Sequence, residues 1–136
     1  MPTNPMTEPS LPKHYQGALD FTVTERAADC VRARMKVGPG ILNPFGTVHA
    51  GALIWLADVA ATTLALGDTR LGPGGAGFPL AIDLHAVLLG NLREGEVIAE
   101  ARFVRQGKRV SVVRTRVTSD DGRLLLELTS SHIPST

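Results

Sequence analysis

"NPFGTVHAGALIWLADVAATTLAL", residues 43–66, is the stretch on which the fold turns. From Ala50 to Leu66 nearly every side chain is apolar or small, and Asp58 is the one ionisable group. The part from 47 to 66 has no proline and no glycine after Gly51, enough for about five helical turns. A helix apolar on nearly all sides is buried all round or lies in a membrane. This run falls short of the ~20 residues of a span, carries Asp58 and sits among strand-like segments. It therefore predicts a central helix wrapped by sheet, and no membrane partner. A carboxylate costs several kcal/mol to bury there unless it is paired, hydrogen-bonded or protonated. Asp58 is either a structural cap or ion-pair partner, or part of a site.

The flanks read as strands. Leu19, Phe21 and Val23 alternate with Asp20, Thr22 and Thr24, and Val31, Ala33, Met35 and Val37 alternate with Arg32, Arg34 and Lys36. After the helix come "FPLAIDLHAVLL", "EVIAEARFVRQ", "RVSVVRTRVTS" and "RLLLELTSSHI". The breaks between them, "GNLREG", "GK" and "DDG", are short enough for antiparallel neighbours. The expected order is β-β-α-β-β-β-β in an α+β fold, with one long helix against a curled antiparallel sheet. "LGPGGAG" at 71–77 matches G-x-G-x-x-G literally, but it follows a helix and opens a strand, the reverse of a dinucleotide fingerprint. It reads as a linker.

A chain of 136 residues suits one domain, placed here at 17–136 behind a flexible lead-in at 1–16 that has no apolar signal-peptide core. The net charge of +1 and the 4% aromatic content give no reason to expect a nucleic-acid partner. Cys30 is the only cysteine, reads as a half-buried strand thiol, and fits a reducing compartment; cytoplasmic is the default. No metal-ligand spacing, G-x-S-x-G or P-loop is present, so no metal and no cofactor is expected.

The helix start "GTVHAG" leaves free backbone N–H groups in a first turn with positive dipole. The small residues Ala50 and Gly51 let a ligand oxygen approach, which suits an oxyanion such as that of an attacked thioester. Asn43 and His49 flank this turn, placed to hold a substrate carbonyl or to orient the loop. Asp58 lies nine residues beyond His49, about 13 Å along the helix and on its opposite side. Two antiparallel helices from different chains would bring Asp58 beside a helix start, so a site here is a shared one.

"N-P-F-G-T-V-H-A-G-A-L-I-W-L-A-D", residues 43–58, resembles the N-x-x-G-x-x-H-G-G-x-x-x-x-L-x-D pattern of hotdog-fold acyl-CoA thioesterases of the phenylacetyl-CoA type. "AIDLHAVLL", "RQGKRVSVVRTRV" and "DDGRLLLELTSSHI" extend the resemblance over 17–134. By position it implies that Asp58 is general base or nucleophile, that Asn43 and His49 serve the opposing subunit's site, and that the Ala50 N–H is the oxyanion donor. It also implies an acyl-CoA substrate, with CoA no cofactor, and a homodimer paired into a tetramer. The chain departs from the pattern at Ala50, where the family usually has glycine, and at Ala81, where some relatives carry Ser or Thr to place water or the thioester.

Gly51 and Ala81 are thus substrate-binding candidates. Lys108 and Arg109, at a hairpin tip, are either solvated charges or contacts for the CoA phosphates. Two other functions compete: a non-catalytic acyl-CoA binding domain, and a hotdog hydratase or dehydratase, whose H-F-P-G type loop is absent.

Overall fold

The computed structural model describes residues 11–136; of the lead-in expected at 1–16, residues 1–10 lie outside them. The elements are β1 (Phe21–Arg26), β2 (Val31–Lys36), α1 (Ala50–Leu66), β3 (Pro79–Leu88), β4 (Glu96–Gln106), β5 (Ser111–Ser119) and β6 (Leu124–Pro134), in the order read from the sequence. The strands form one antiparallel sheet, β1-β2-β4-β5-β6-β3. Alternation dictates which face is covered: Val31, Ala33 and Met35 of β2 and Val97, Ala99 and Ala101 of β4 are buried against the helix side.

Three expectations need correction. The break at 90–95 does not make neighbours of β3 and β4: β3 pairs with β6 at one edge, while β4 lies between β2 and β5. The connection runs across the end of the sheet instead. Leu89 and Gly90 donate N–H to the Leu125 carbonyl at 2.8 and 3.1 Å, Val48 N–H reaches the Leu92 carbonyl at 3.1 Å, and Val37 N–H reaches the Gly95 carbonyl at 2.8 Å. Asn91 clamps Val48 on both sides, its Oδ1 accepting the Val48 N–H at 3.0 Å and its Nδ2 donating to the Val48 carbonyl at 2.8 Å. That clamp holds Val48 extended, so the helix begins at Ala50 rather than at Thr47.

The helix is also not buried all round within one chain. Ala52, Leu53, Leu56, Ala57, Ala60, Ala61 and Leu64 face the sheet, whereas Trp55 is 49% exposed and meets Phe21 edge to face at 5.4 Å. Alanines at 57, 60 and 61 let the backbone approach the strands closely, and each buried leucine contributes about 1.5–3 kcal/mol. Gly67 ends the helix at φ 54° and ψ −129°, a positive-φ conformation that glycine adopts without a Cβ clash.

Beyond it, 71–77 is a linker holding a single 3-10 turn, Pro73–Gly75, before β3. Cys30 is buried at the entrance to β2, and desolvation pushes its thiol up, away from nucleophilic character.

Candidate active site

The second half of α1 and the start of β3 enclose a cavity of about 410 Å³, lined among others by Asp58, Val59, Thr62, Leu66, Phe78 and Ala81. Its wall is mostly apolar, with one carboxylate. Oδ1 of Asp58 is buried and has no hydrogen-bond partner, and Asp58 enters no ion pair among the described residues. Asp58 therefore does not cap a backbone group or neutralise an arginine here. A carboxylate with one buried, unsatisfied oxygen in an apolar cavity is the pattern that calls for a ligand or a proton.

Ala81 shares this cavity, and the register of β3 explains why. Ala81 pairs with His132 of β6, and a bulge between Ala81 and Asp83 sets Ile82 out of phase, leaving it 52% exposed. Thr62 stands one helical turn beyond Asp58 and lines the same wall. The i, i+4 spacing was the sequence signal for it, and the sequence reading passed over it.

The opposite end of α1 forms a separate site. Asn43 Oδ1 accepts the N–H groups of Phe45 and Thr47 at 2.9 and 3.1 Å, and its Nδ2 donates to Thr47 Oγ1 at 2.7 Å. Asn43 thus organises the turn that delivers the chain to the helix. His49 is the N-cap: its Nδ1 accepts the Ala52 N–H at 3.0 Å.

Gly51 makes room for that cap, since a Cβ there would lie 3.3 Å from the ring Nδ1. Ala50 and Gly51 are exposed, and their N–H groups find no acceptor among the described residues. Asn43 and His49 line a second cavity of about 410 Å³, with Tyr15, Leu19, Leu42 and Pro44.

Within one chain the structure brings Asp58 to Ala81, and Asn43 to His49, Ala50 and Gly51. It does not join the two groups, whose cavities share no residue. Lys108 and Arg109 line a third cavity with Gly77, Pro79 and His132, adjoining the Asp58 cavity at Pro79. His132 itself is buried, and no sequence motif marks it. Among the described residues no cluster of three His, Cys, Asp or Glu is placed to hold a metal, and no helix is long and apolar enough to cross a membrane.

Residues 45–126 match the family described as the thioesterase superfamily. A Bacillus subtilis protein named "Putative esterase ComA2" is 29% identical over 108 residues, 79% of this chain and 83% of that one. Among solved structures, a mutant thioesterase enzyme from Staphylococcus aureus superposes with a TM-score of 0.78 at 21% identity, over 85% of this chain and 93% of that one. A hypothetical thioesterase protein with coenzyme A from Streptococcus pneumoniae gives a TM-score of 0.73 at 17% identity, over 85% and 88%. At such identities the likeness is one of fold: a long helix against a six-stranded antiparallel sheet.

Proposed function

Because this chain belongs to the thioesterase superfamily and has its hotdog fold, we propose that it hydrolyses an acyl-CoA thioester to the free acid and CoA, at sites shared between two subunits. One observation carries the reading: Oδ1 of the half-buried Asp58 is buried without a partner in an apolar cavity, while the exposed residues Ala50 and Gly51 at the helix start have N–H donors with no acceptor among the described residues.

In a dimer with antiparallel helices, the partner subunit's Ala50 N–H would meet the thioester carbonyl in the Asp58 cavity. Asp58 takes the proton of the attacking water, or attacks the carbonyl itself. Negative charge on the carbonyl oxygen is met by the Ala50 N–H and the positive end of the helix. The thiolate of CoA then leaves and is protonated; where Asp58 attacks, the mixed anhydride it forms is hydrolysed by water to the free acid and the Asp58 carboxylate. Asn43 and His49 act by holding this helix start in place. Lys108 and Arg109, beside the adjoining cavity, would meet the phosphates of CoA. The catalytic unit is residues 17–136, and the acyl group is an aryl or a short to medium chain, as in phenylacetyl-CoA. The apolar lining of the Asp58 cavity, with Val59, Leu66 and Phe78, supports such an acyl group.

The dimer is supported by β3. It is ten residues long, pairs on one side only, and exposes Leu80, Ile82, Leu84, Val87 and Leu88. A long apolar edge strand is a template for pairing with another chain. Two such dimers would make the tetramer, and the reading places the protein in the cytoplasm.

A second reading, acyl-CoA binding without hydrolysis, is favoured by Ala81, whose methyl supplies no hydroxyl to the cavity that holds Asp58. A thiol-trap assay over short, medium, long and aromatic acyl-CoAs tests both. Release of free CoA supports hydrolysis; tight binding without release supports the second reading.

A further inference from the structure

Two buried polar side chains near the Asp58 cavity, His132 and Ser130, have no role so far. His132 is 2% exposed, and its Nε2 is hydrogen-bonded with Ser130 Oγ at 2.8 Å. Its Nδ1 is buried without a partner among the described residues, as is Oδ1 of Asp58. The sheet places His132 next to that cavity. His132 is the register partner of Ala81, so both side chains leave the sheet on the same face, and Ala81 lines the cavity that holds Asp58. We propose that His132 is a positioning residue for Asp58: a neutral imidazole, held by Ser130 beside the Asp58 cavity, whose protonation weakens Asp58 as a base. This rests on Asp58 acting in hydrolysis as proposed above.

The groups around His132 come from every neighbouring element. Asp58 of α1 and Asp83 of β3 are near enough for their charges to act on the ring, the Pro79 carbonyl approaches from β3, Ser130 stands on β6, Ser111 holds the partner position on β5, and Lys108 and Arg109 sit at the hairpin tip that shares its cavity. Burial holds the ring below the ordinary imidazole range, opposed by the Pro79 carbonyl and then by Asp58 and Asp83. At neutral pH the ring is therefore uncharged, and Asp58 has no cation at this wall. A proton on His132 would stabilise the Asp58 carboxylate and make it a poorer proton acceptor. The acid side of the rate profile then carries the protonation of His132 as well as that of the base.

Two measurements test this: pH–rate profiles of wild type and His132→Gln, each scaled to its own plateau, and an NMR titration of the His132 ring in wild type and Asp58→Asn. In His132→Gln the acid limb is expected to become a one-proton curve and to move to lower pH by about half to one unit. In Asp58→Asn the His132 midpoint is expected to fall by a similar amount, because a stabilising negative neighbour is gone. An unchanged acid limb, or an unmoved titration, overturns the proposal.

Where His132→Gln fails to fold, Ser130→Ala, which frees Nε2, replaces it in the rate profile, and the titration decides with the ring intact. If Asp58→Asn hydrolyses at the wild-type rate, hydrolysis by Asp58 falls on that result alone, while the titration still reads the His132–Asp58 coupling.

Discussion

Nδ1 of His49 accepts the backbone N–H of Ala52 at 3.0 Å, so an imidazole caps the helix whose first two N–H groups have no acceptor among the described residues. The ring nitrogen must be unprotonated to accept. Replacing an N-cap with alanine costs about 1 kcal/mol, and asparagine or serine recovers most of that. His49→Ala is therefore expected to lower the melting temperature and His49→Asn to restore it. If the ring served only a bound ligand, neither substitution would move the melting curve of the free protein.

Asp58→Asn is expected to leave the fold intact and to remove most of the hydrolysis. Asparagine is nearly isosteric but takes no proton and does not attack, and losing a general base lowers the rate by about 10² to 10⁴. Because Asp58 holds no ion pair among the described residues, no several-kcal/mol loss of stability accompanies the change. Equal kcat together with a depressed melting temperature would assign Asp58 a structural role.

How far the sequence reaches is visible in these same elements. All six strands were read from strand-like runs, most clearly where period-two alternation sets one face on the core, as in β2 and β4. Alternation did not place β3, since β3 pairs with β6 through contacts spanning from Leu80↔Ile133 to Leu88↔Leu126, far apart in the chain. The helix start was misplaced for a similar reason: Val48 is held extended by Asn91, 43 residues away. Asp58 was legible because one charge in an apolar run is conspicuous. Thr62, Ser130 and His132 were not, because a threonine in a helix and polar residues on an alternating strand are ordinary until the neighbours are known.

The depressed His132 titration predicts how stability varies with pH. A histidine whose folded value lies below its unfolded value binds fewer protons folded than unfolded, so stability rises with pH across that interval. Its contribution is complete above the unfolded value of about 6.5 and is lost as pH falls through and below it. His132→Gln is expected to flatten the stability profile on the acid side of neutrality. Denaturant unfolding at several pH values checks this, and a mutant slope equal to wild type would assign the dependence to other groups.

Ala81→Ser or Ala81→Thr is expected to raise kcat with KM roughly unchanged. A hydroxyl beside Asp58 that orients the attacking water acts mainly in the transition state. One such hydrogen bond contributes about 0.5–1.5 kcal/mol, roughly two- to tenfold in rate. Ile82 sits at the bulge and does not line the Asp58 cavity, so Ile82→Ser serves as the control. A gain in both variants would trace the effect to general loosening of β3.

The shared site can be tested by mixing subunits. Ala50 is the first helical residue, it follows an extended His49 (φ −71°, ψ 146°), and its N–H has no acceptor among the described residues. Proline is tolerated at that position, so Ala50→Pro removes the proposed oxyanion donor with little effect on the helix. Losing one such donor lowers kcat by about 10² to 10³, while Ala50→Gly, which keeps the amide, should stay active. If Asp58 and the Ala50 N–H come from different chains, a hybrid of Asp58→Asn and Ala50→Pro subunits has one site with both defects and one with neither. Equal mixing makes half the dimers hybrid, so activity should return to about a quarter of wild type. Refolding the two inactive variants together and assaying CoA release measures this. Recovery no greater than the sum of the two variants, or a stable monomer by sedimentation that still hydrolyses thioesters, would mean that each chain builds its site alone.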